Sequence, residues 1–217
     1  PDTPYQSLAM RRQSAYILQN IKETCAAAGA NFDDDSVRIY QWLVTTDQDR
    51  DGGTWVGDGF TITPYLEERD HFLTHDRPAS TGMGVKNLLV KDTIVEVDVL
   101  LKTDTPKQQV SLDVPKALAG YSQGLISGDW VFTAGEHATD FVGDTGRNDY
   151  NGPRSAIQLD ARTPSELLWY GLPVKLQTQK LFEKLERNLE TCGSSMKDVV
   201  HATIYYSHPK NLAEIEE

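Results

Sequence analysis

The chain has 217 residues, 39% of them hydrophobic and 24% charged, with a formal net charge of −11. That length can bury a sizeable core in one large or two small domains. The net negative charge argues against nucleic-acid backbone binding, which needs clustered Lys and Arg, and no run of about 18 apolar residues exists to span a membrane. The two cysteines, Cys25 and Cys192, fit no zinc spacing and suit a reducing, cytoplasmic setting. Each reads as a small buried helix residue, with a catalytic thiol as the alternative. The N-terminal PDTPYQSLAMRRQ lacks the layout of a secretory signal, and a start at Pro1 suggests a processed or incompletely represented chain.

In chain order, the spacing of Ile17, Ile21, Cys25 and Ala28 predicts an amphipathic helix from Ser14 to Gly29, with Gly29 as its stop. Val37 to Val44 is rich in β-branched and aromatic residues and reads as a strand. Thr45 to Tyr65 is polar and glycine-rich. Its DQDRDGG run resembles the start of a calcium loop, but the twelfth position from Asp47 holds Asp58 instead of a bidentate Glu, so a surface turn is expected. Leu66 to Leu73 reads as a short helix. Thr93 to Leu101 alternates apolar residues and reads as a central strand, with Glu96 and Asp98 on one face. Such a pair is either a water-activating site or a solvated face.

Thr103 to Ala119 is polar with two prolines and reads as a linker. Leu125-Ile126-Ser127, then Gly128-Asp129, then Trp130 to Ala134 predict a β-hairpin. Gly135 at its exit allows a close approach, and Glu136, His137 and Asp140 come next. A short helix is expected at Pro164 to Tyr170. Val174 to Cys192 forms a second amphipathic helix through Leu176, Leu181, Leu185 and Leu189, stopped by Gly193. Val199 to Tyr206 (VVHATIYY) reads as another strand. His71 and His75 share a helical face but have no matching acidic ligand, so no metal site is expected.

Two segments repeat one plan. ILQNIKETCAAAGANFDDDSVRIYQWL and KLFEKLERNLETCGSSMKDVVHATIYY each run helix, glycine stop, polar-acidic link and aromatic-rich strand. Aligning Gly29 with Gly193 brings Val37 and Val200 within one residue of register. An offset this long suggests domain duplication instead of a solenoid.

The order Tyr121-Ser122-Gln123-Gly124, Gly128-Asp129-Trp130-Val131-Phe132, Ala134-Gly135-Glu136 resembles the opening of the RidA (YjgF) family, with Glu136 where glutamine is usual. Asp198-Val199-Val200-His201-Ala202-Thr203-Ile204-Tyr205, Arg77-Pro78-Ala79-Ser80-Thr81 and Val95-Glu96-Val97-Asp98 resemble later motifs of that family. The resemblance implies an α+β fold of two RidA-like (chorismate mutase-like) domains, each a mixed β-sheet packed on two helices. It places the later part of a first domain at 1–102, a linker at 103–119 and the earlier part of a second domain at 120–217. A tandem chain without its ends, or a permuted single fold, would account for that order.

The resemblance further implies hydrolysis of a small enamine or imine acid, of the 2-aminoacrylate or aminomuconate kind, without a metal or other cofactor. Glu96 takes the position of the water-orienting glutamate and Tyr121 that of a pocket tyrosine, with Gly135 and Glu136 at the strand exit. In the family an arginine after Pro-Ala holds the substrate carboxylate, a bidentate task suited to guanidinium. Here Ser80 follows Pro78-Ala79 and Arg77 precedes it, so Arg77, Ser80 and Thr81 are the candidates around the acid group. A small-molecule substrate and a homo-oligomer built on trimeric packing are implied. A non-catalytic metabolite-binding protein and a chorismate-processing enzyme on the same fold are the alternatives.

Overall fold

The computed structural model describes residues 4–44, 62–111, 120–138 and 173–216. Strand β1 (Ser36–Val44) is the middle of a three-stranded sheet. It pairs in parallel with β2 (Ala79–Val85) and antiparallel with β3 (Val95–Leu101). A parallel neighbour needs a long crossover, and the chain between β1 and β2 supplies helix α3 (Ile62–Asp70). Along β1, Val37, Ile39, Gln41 and Leu43 are buried while Arg38, Tyr40, Trp42 and Val44 are half-buried. That period of two gives the sheet one covered and one open face.

Helices α1 (Pro4–Ala27) and α3 cover the first face. Leu18 and Cys25 of α1 meet Phe32, Ile39 and Leu73, and Met10 meets Leu43, Tyr65 and Val95. The helix begins at Pro4, earlier than the expected Ser14. Leu18 is fully buried, whereas Ala28 is exposed just past the helix end. One buried polar chain crosses this face. The Tyr65 hydroxyl donates to Gln41 Oε1 (3.1 Å), and Gln41 Nε2 donates to Ser80 Oγ (2.8 Å). Burial pushes the Tyr65 phenol up to about 12, so it stays a donor at neutral pH.

Strands β4 (Lys107–Val110), β5 (Gly124–Ser127) and β6 (Trp130–Thr133) form an antiparallel sheet in that order. The expected hairpin is present, turning at Gly128-Asp129. Backbone bonds stitch it to the start of β2: Ser122 N–H donates to the Pro78 carbonyl (3.4 Å), and Gly135 N–H to the Ser80 carbonyl (3.2 Å). Helix α4 (Pro173–Thr191) packs on β6, and the short helix α5 (Leu212–Glu216) packs on α4. The Glu214 carboxylate accepts from Val174 N–H (3.1 Å) and Lys175 N–H (3.3 Å), which caps the start of α4.

The two helix stops share one local geometry. Gly29 (φ 79°) and Gly193 (φ 76°) take the left-handed conformation. Ala30 N–H then reaches back to the Cys25 carbonyl and Ser194 N–H to the Leu189 carbonyl, both at 2.9 Å. Asn31 N–H donates to Asp35 (2.7 Å) and Ser195 N–H to Asp198 (3.0 Å). Beyond the stops the two segments diverge. The first leads into β1, but residues 199–206 form no strand, and Val200 is 77% exposed. Apolar, β-branched residues make a strand only beside a partner, and none among the described residues pairs with this segment.

Two further expectations change. The strand read as central, β3, lies at the sheet edge because β1 takes the middle. The stretch read as a linker contributes β4, whose Gln108 and Gln109 pair with Ile126 and Leu125. The DQDRDGG run and the helix expected at Pro164 to Tyr170 fall outside the described residues.

Asp33 in the turn helix α2 (Phe32–Asp35) ties that turn to the loop before β2. It accepts from Thr74 N–H (2.8 Å), Thr74 Oγ1 (2.6 Å) and His75 N–H (3.3 Å). Partial burial raises its pKa, but these bonds outweigh that and hold it below the usual carboxylate value. A depressed carboxylate stabilises the fold above its unfolded pKa and loses that contribution as pH falls through its folded one. Asp33→Asn is therefore expected to cost about 1–2 kcal/mol at neutral pH and to flatten the loss of stability below about pH 4, read by urea denaturation across pH.

Candidate functional site

The open face carries the chemistry. Register puts Ala79, Arg38 and Leu100 in one row across the sheet, Thr81, Tyr40 and Asp98 in the next, and Met83, Trp42 and Glu96 in the third. Glu96 and Asp98 are both exposed on β3. The Tyr40 and Trp42 rings stack with centroids 6.1 Å apart and planes 21° from parallel. The Arg38 guanidinium carbon lies 4.6 Å from the centre of the Tyr40 ring. Burial raises the Tyr40 phenol pKa; Arg38 opposes that, while Tyr205 and Asp98 add to it. Arg38 thus lies over the ring, and Asp98 stands opposite Tyr40 in the sheet.

The residues chosen from sequence divide between this face and the seam with the hairpin. Glu96 lies on the open face, and Thr81 faces the same side of the sheet but is covered there by the hairpin exit at Gly135. Ser80 does not: it is 5% exposed and bonded to Gln41 on the helix side, because neighbours along a strand point to opposite faces. Arg77 is engaged in the seam, with Nη1 donating to the Gly120 carbonyl (2.9 Å) and Nη2 facing Asp70 Oδ2 (3.2 Å). Tyr121 is half-buried beside it and close enough to act electrostatically on the buried Arg69. Arg77, Ser80 and Thr81 therefore do not converge on one ligand group.

Gly135 meets Thr81 closely. A Cβ built at residue 135 would lie 2.8 Å from both Thr81 Cγ2 and Oγ1, so the side-chain-free position is what lets the hairpin exit seat on β2. Thr81 Oγ1 is shut off from solvent there without a hydrogen bond. Glu136 is sealed against α4: its side chain is 5% exposed, with Lys184 Nζ at 2.8 Å and Asn188 Nδ2 donating at 2.9 Å. A carboxylate held by two buried donors anchors the hairpin and is not open to a ligand.

Sequence reading overlooked Arg38, Tyr40 and Trp42. The signal was present in β1, where polar and aromatic residues occupy alternate positions between Val37, Ile39 and Leu43. A separate cleft of about 400 Å³ is lined by Asp34, Asp35, His75, Asp76, Asp104 and Lys107, among others, and contains none of the chosen residues. No group of three or more His, Cys, Asp or Glu among the described residues is placed to hold a metal ion. Both cysteines are buried, and burial raises their thiol pKa values, which favours packing over nucleophilic use. Among the described residues no helix is long and apolar enough to cross a membrane.

No protein-family model matches the chain. It is similar to two curated proteins named RutC family protein, from Pyrococcus abyssi (26% identical over 103 residues) and Pyrococcus horikoshii (25% over 105). RutC proteins belong to the RidA/YjgF superfamily. Each match covers 48% of this chain and 63% or 65% of the relative, so the chain spans under two thirds of their length. The mixed α+β architecture with small sheets is compatible with that likeness.

Glu136→Ala removes the acceptor shared by Lys184 and Asn188 and is expected to cost about 2–4 kcal/mol in chemical denaturation. Glu136→Ala with equal stability to the parent would mean that the hairpin is not anchored through this pair.

Proposed function

We propose that the protein hydrolyses a small enamine- or imine-type acid, releasing ammonia and leaving a carbonyl compound. The observation that carries this reading is the pair of exposed carboxylates, Glu96 and Asp98, on an open sheet face beside two stacked aromatic rings. The distant likeness to RutC family proteins supports it. An enamine first tautomerises to the imine, an N–H proton moving to carbon. Water then adds across the C=N bond, its proton passes to the nitrogen, and the carbinolamine collapses to C=O and ammonia, so no redox partner is required. Glu96 accepts a hydrogen bond from the attacking water and takes its proton, and Tyr40 and Trp42 form the floor for a planar substrate. Arg77 acts at the seam, through Gly120 and Asp70, in place of the substrate-holding role its motif suggested.

One observation favours a second reading. Ser80, where the related motif has arginine, is buried among the helices and cannot hold a substrate acid. A non-catalytic metabolite-binding protein would tolerate that loss more easily than an enzyme.

Ammonia release from freshly generated 2-aminoacrylate separates the two. The deaminase reading predicts turnover that Glu96→Gln reduces by about 100-fold or more with the fold intact. It also predicts that Arg77→Ala lowers the melting temperature more than it lowers kcat. Folded protein without ammonia release would favour the binding reading.

A further inference from the structure

The described arginines and lysines are not equally occupied. Arg11 bonds Glu67 and Glu68, Arg77 faces Asp70, Lys102 bonds Asp104, and Lys184 bonds Glu136. Arg38 has no such partner among the described residues: its contact is the Tyr40 ring, and its Nε is closed off from solvent without a hydrogen bond. A guanidinium that is partly desolvated, stacked and unneutralised in a chain of net charge −11 is an anion-binding group in waiting.

Its surroundings are polarised along the strands. Arg38 stands opposite Leu100, so Asp98 is its diagonal neighbour, about 7–8 Å away between backbones. Glu96 lies two residues further, about 7 Å more along β3. Between the positive end and the negative end run Tyr40 and Trp42, whose faces suit a cationic nitrogen or a conjugated plane.

We infer that this open face is a dipolar binding strip, in which Arg38 takes the ligand's carboxylate and Asp98 or Glu96, with the two rings, takes a cationic nitrogen. The inference rests on the reading above for the choice of face and adds the polarity of the ligand. A short amino- or imino-acid spans Arg38 to Asp98; a longer one reaches Glu96. Arg38 thereby fills the acid-holding role that neither Arg77 nor Ser80 is placed to fill.

The test is calorimetric titration of the full chain with 4-aminobutanoate, butanoate and butylamine. The dipolar probe is expected to bind about tenfold or more tightly than either singly charged one. Arg38→Gln is expected to erase its advantage over butylamine, and Asp98→Asn its advantage over butanoate. Arg38→Lys keeps a charge but not the fork, and is expected to recover part of the loss. Equal binding of the three probes, or 4-aminobutanoate binding that Arg38→Gln leaves unchanged in a folded variant, would overturn the inference. Dipolar preference without ammonia release from 2-aminoacrylate would instead sink the deaminase reading and leave the strip standing.

Discussion

Everything in the first half of the structure depends on β1 lying between a parallel and an antiparallel neighbour. With both edges paired, its backbone groups are satisfied and its two faces are committed to different tasks. Of the odd-numbered residues, Ile39 meets α1, Leu43 meets α1 and α3, and Val37 is buried with them. The even-numbered residues Arg38, Tyr40 and Trp42 are left on the other side with Thr81, Asp98 and Glu96. A one-residue slip would exchange the two sets, placing a guanidinium in the core and a leucine in the site. The Tyr65–Gln41–Ser80 chain opposes such a slip, because each buried polar group has its partner only in this register.

The hairpin is held by a second, more polar set of contacts. Backbone bonds from Ser122 and Gly135 reach the start of β2, Arg77 grips the Gly120 carbonyl, and Glu136 is clamped by Lys184 and Asn188 on α4. Buried ion pairs specify geometry more than they add stability, since desolvation offsets much of their attraction. This arrangement consumes the charges that the sequence had offered as site residues. Arg38, outside the seam, keeps its charge available.

Local features were legible in the sequence wherever local chemistry decides them. Gly128-Asp129 announced the hairpin turn, Gly29 and Gly193 announced the helix stops, and the two stops share one pattern of backbone bond. The carboxylate pair Glu96 and Asp98 was placed on one face by period alone. Register was not legible, and it separates residues close together in sequence, sending Arg77 into the seam, Ser80 into the core and Thr81 under the hairpin exit. Nor could composition show that Val199 to Tyr206, as strand-like as β1, would find no partner among the described residues. The motif likeness drew attention to residues before β2, whereas the face is assembled mainly from β1 and β3.

The most direct test of this division of labour is an alanine scan along β1, read by chemical denaturation. Ile39→Ala and Leu43→Ala should each cost about 2–5 kcal/mol, while Tyr40→Ala and Trp42→Ala should cost far less. A stability loss that alternates with period two is the predicted result. Comparable losses at Tyr40 and Ile39 would contradict it, because the open face would then be core and unavailable to any ligand.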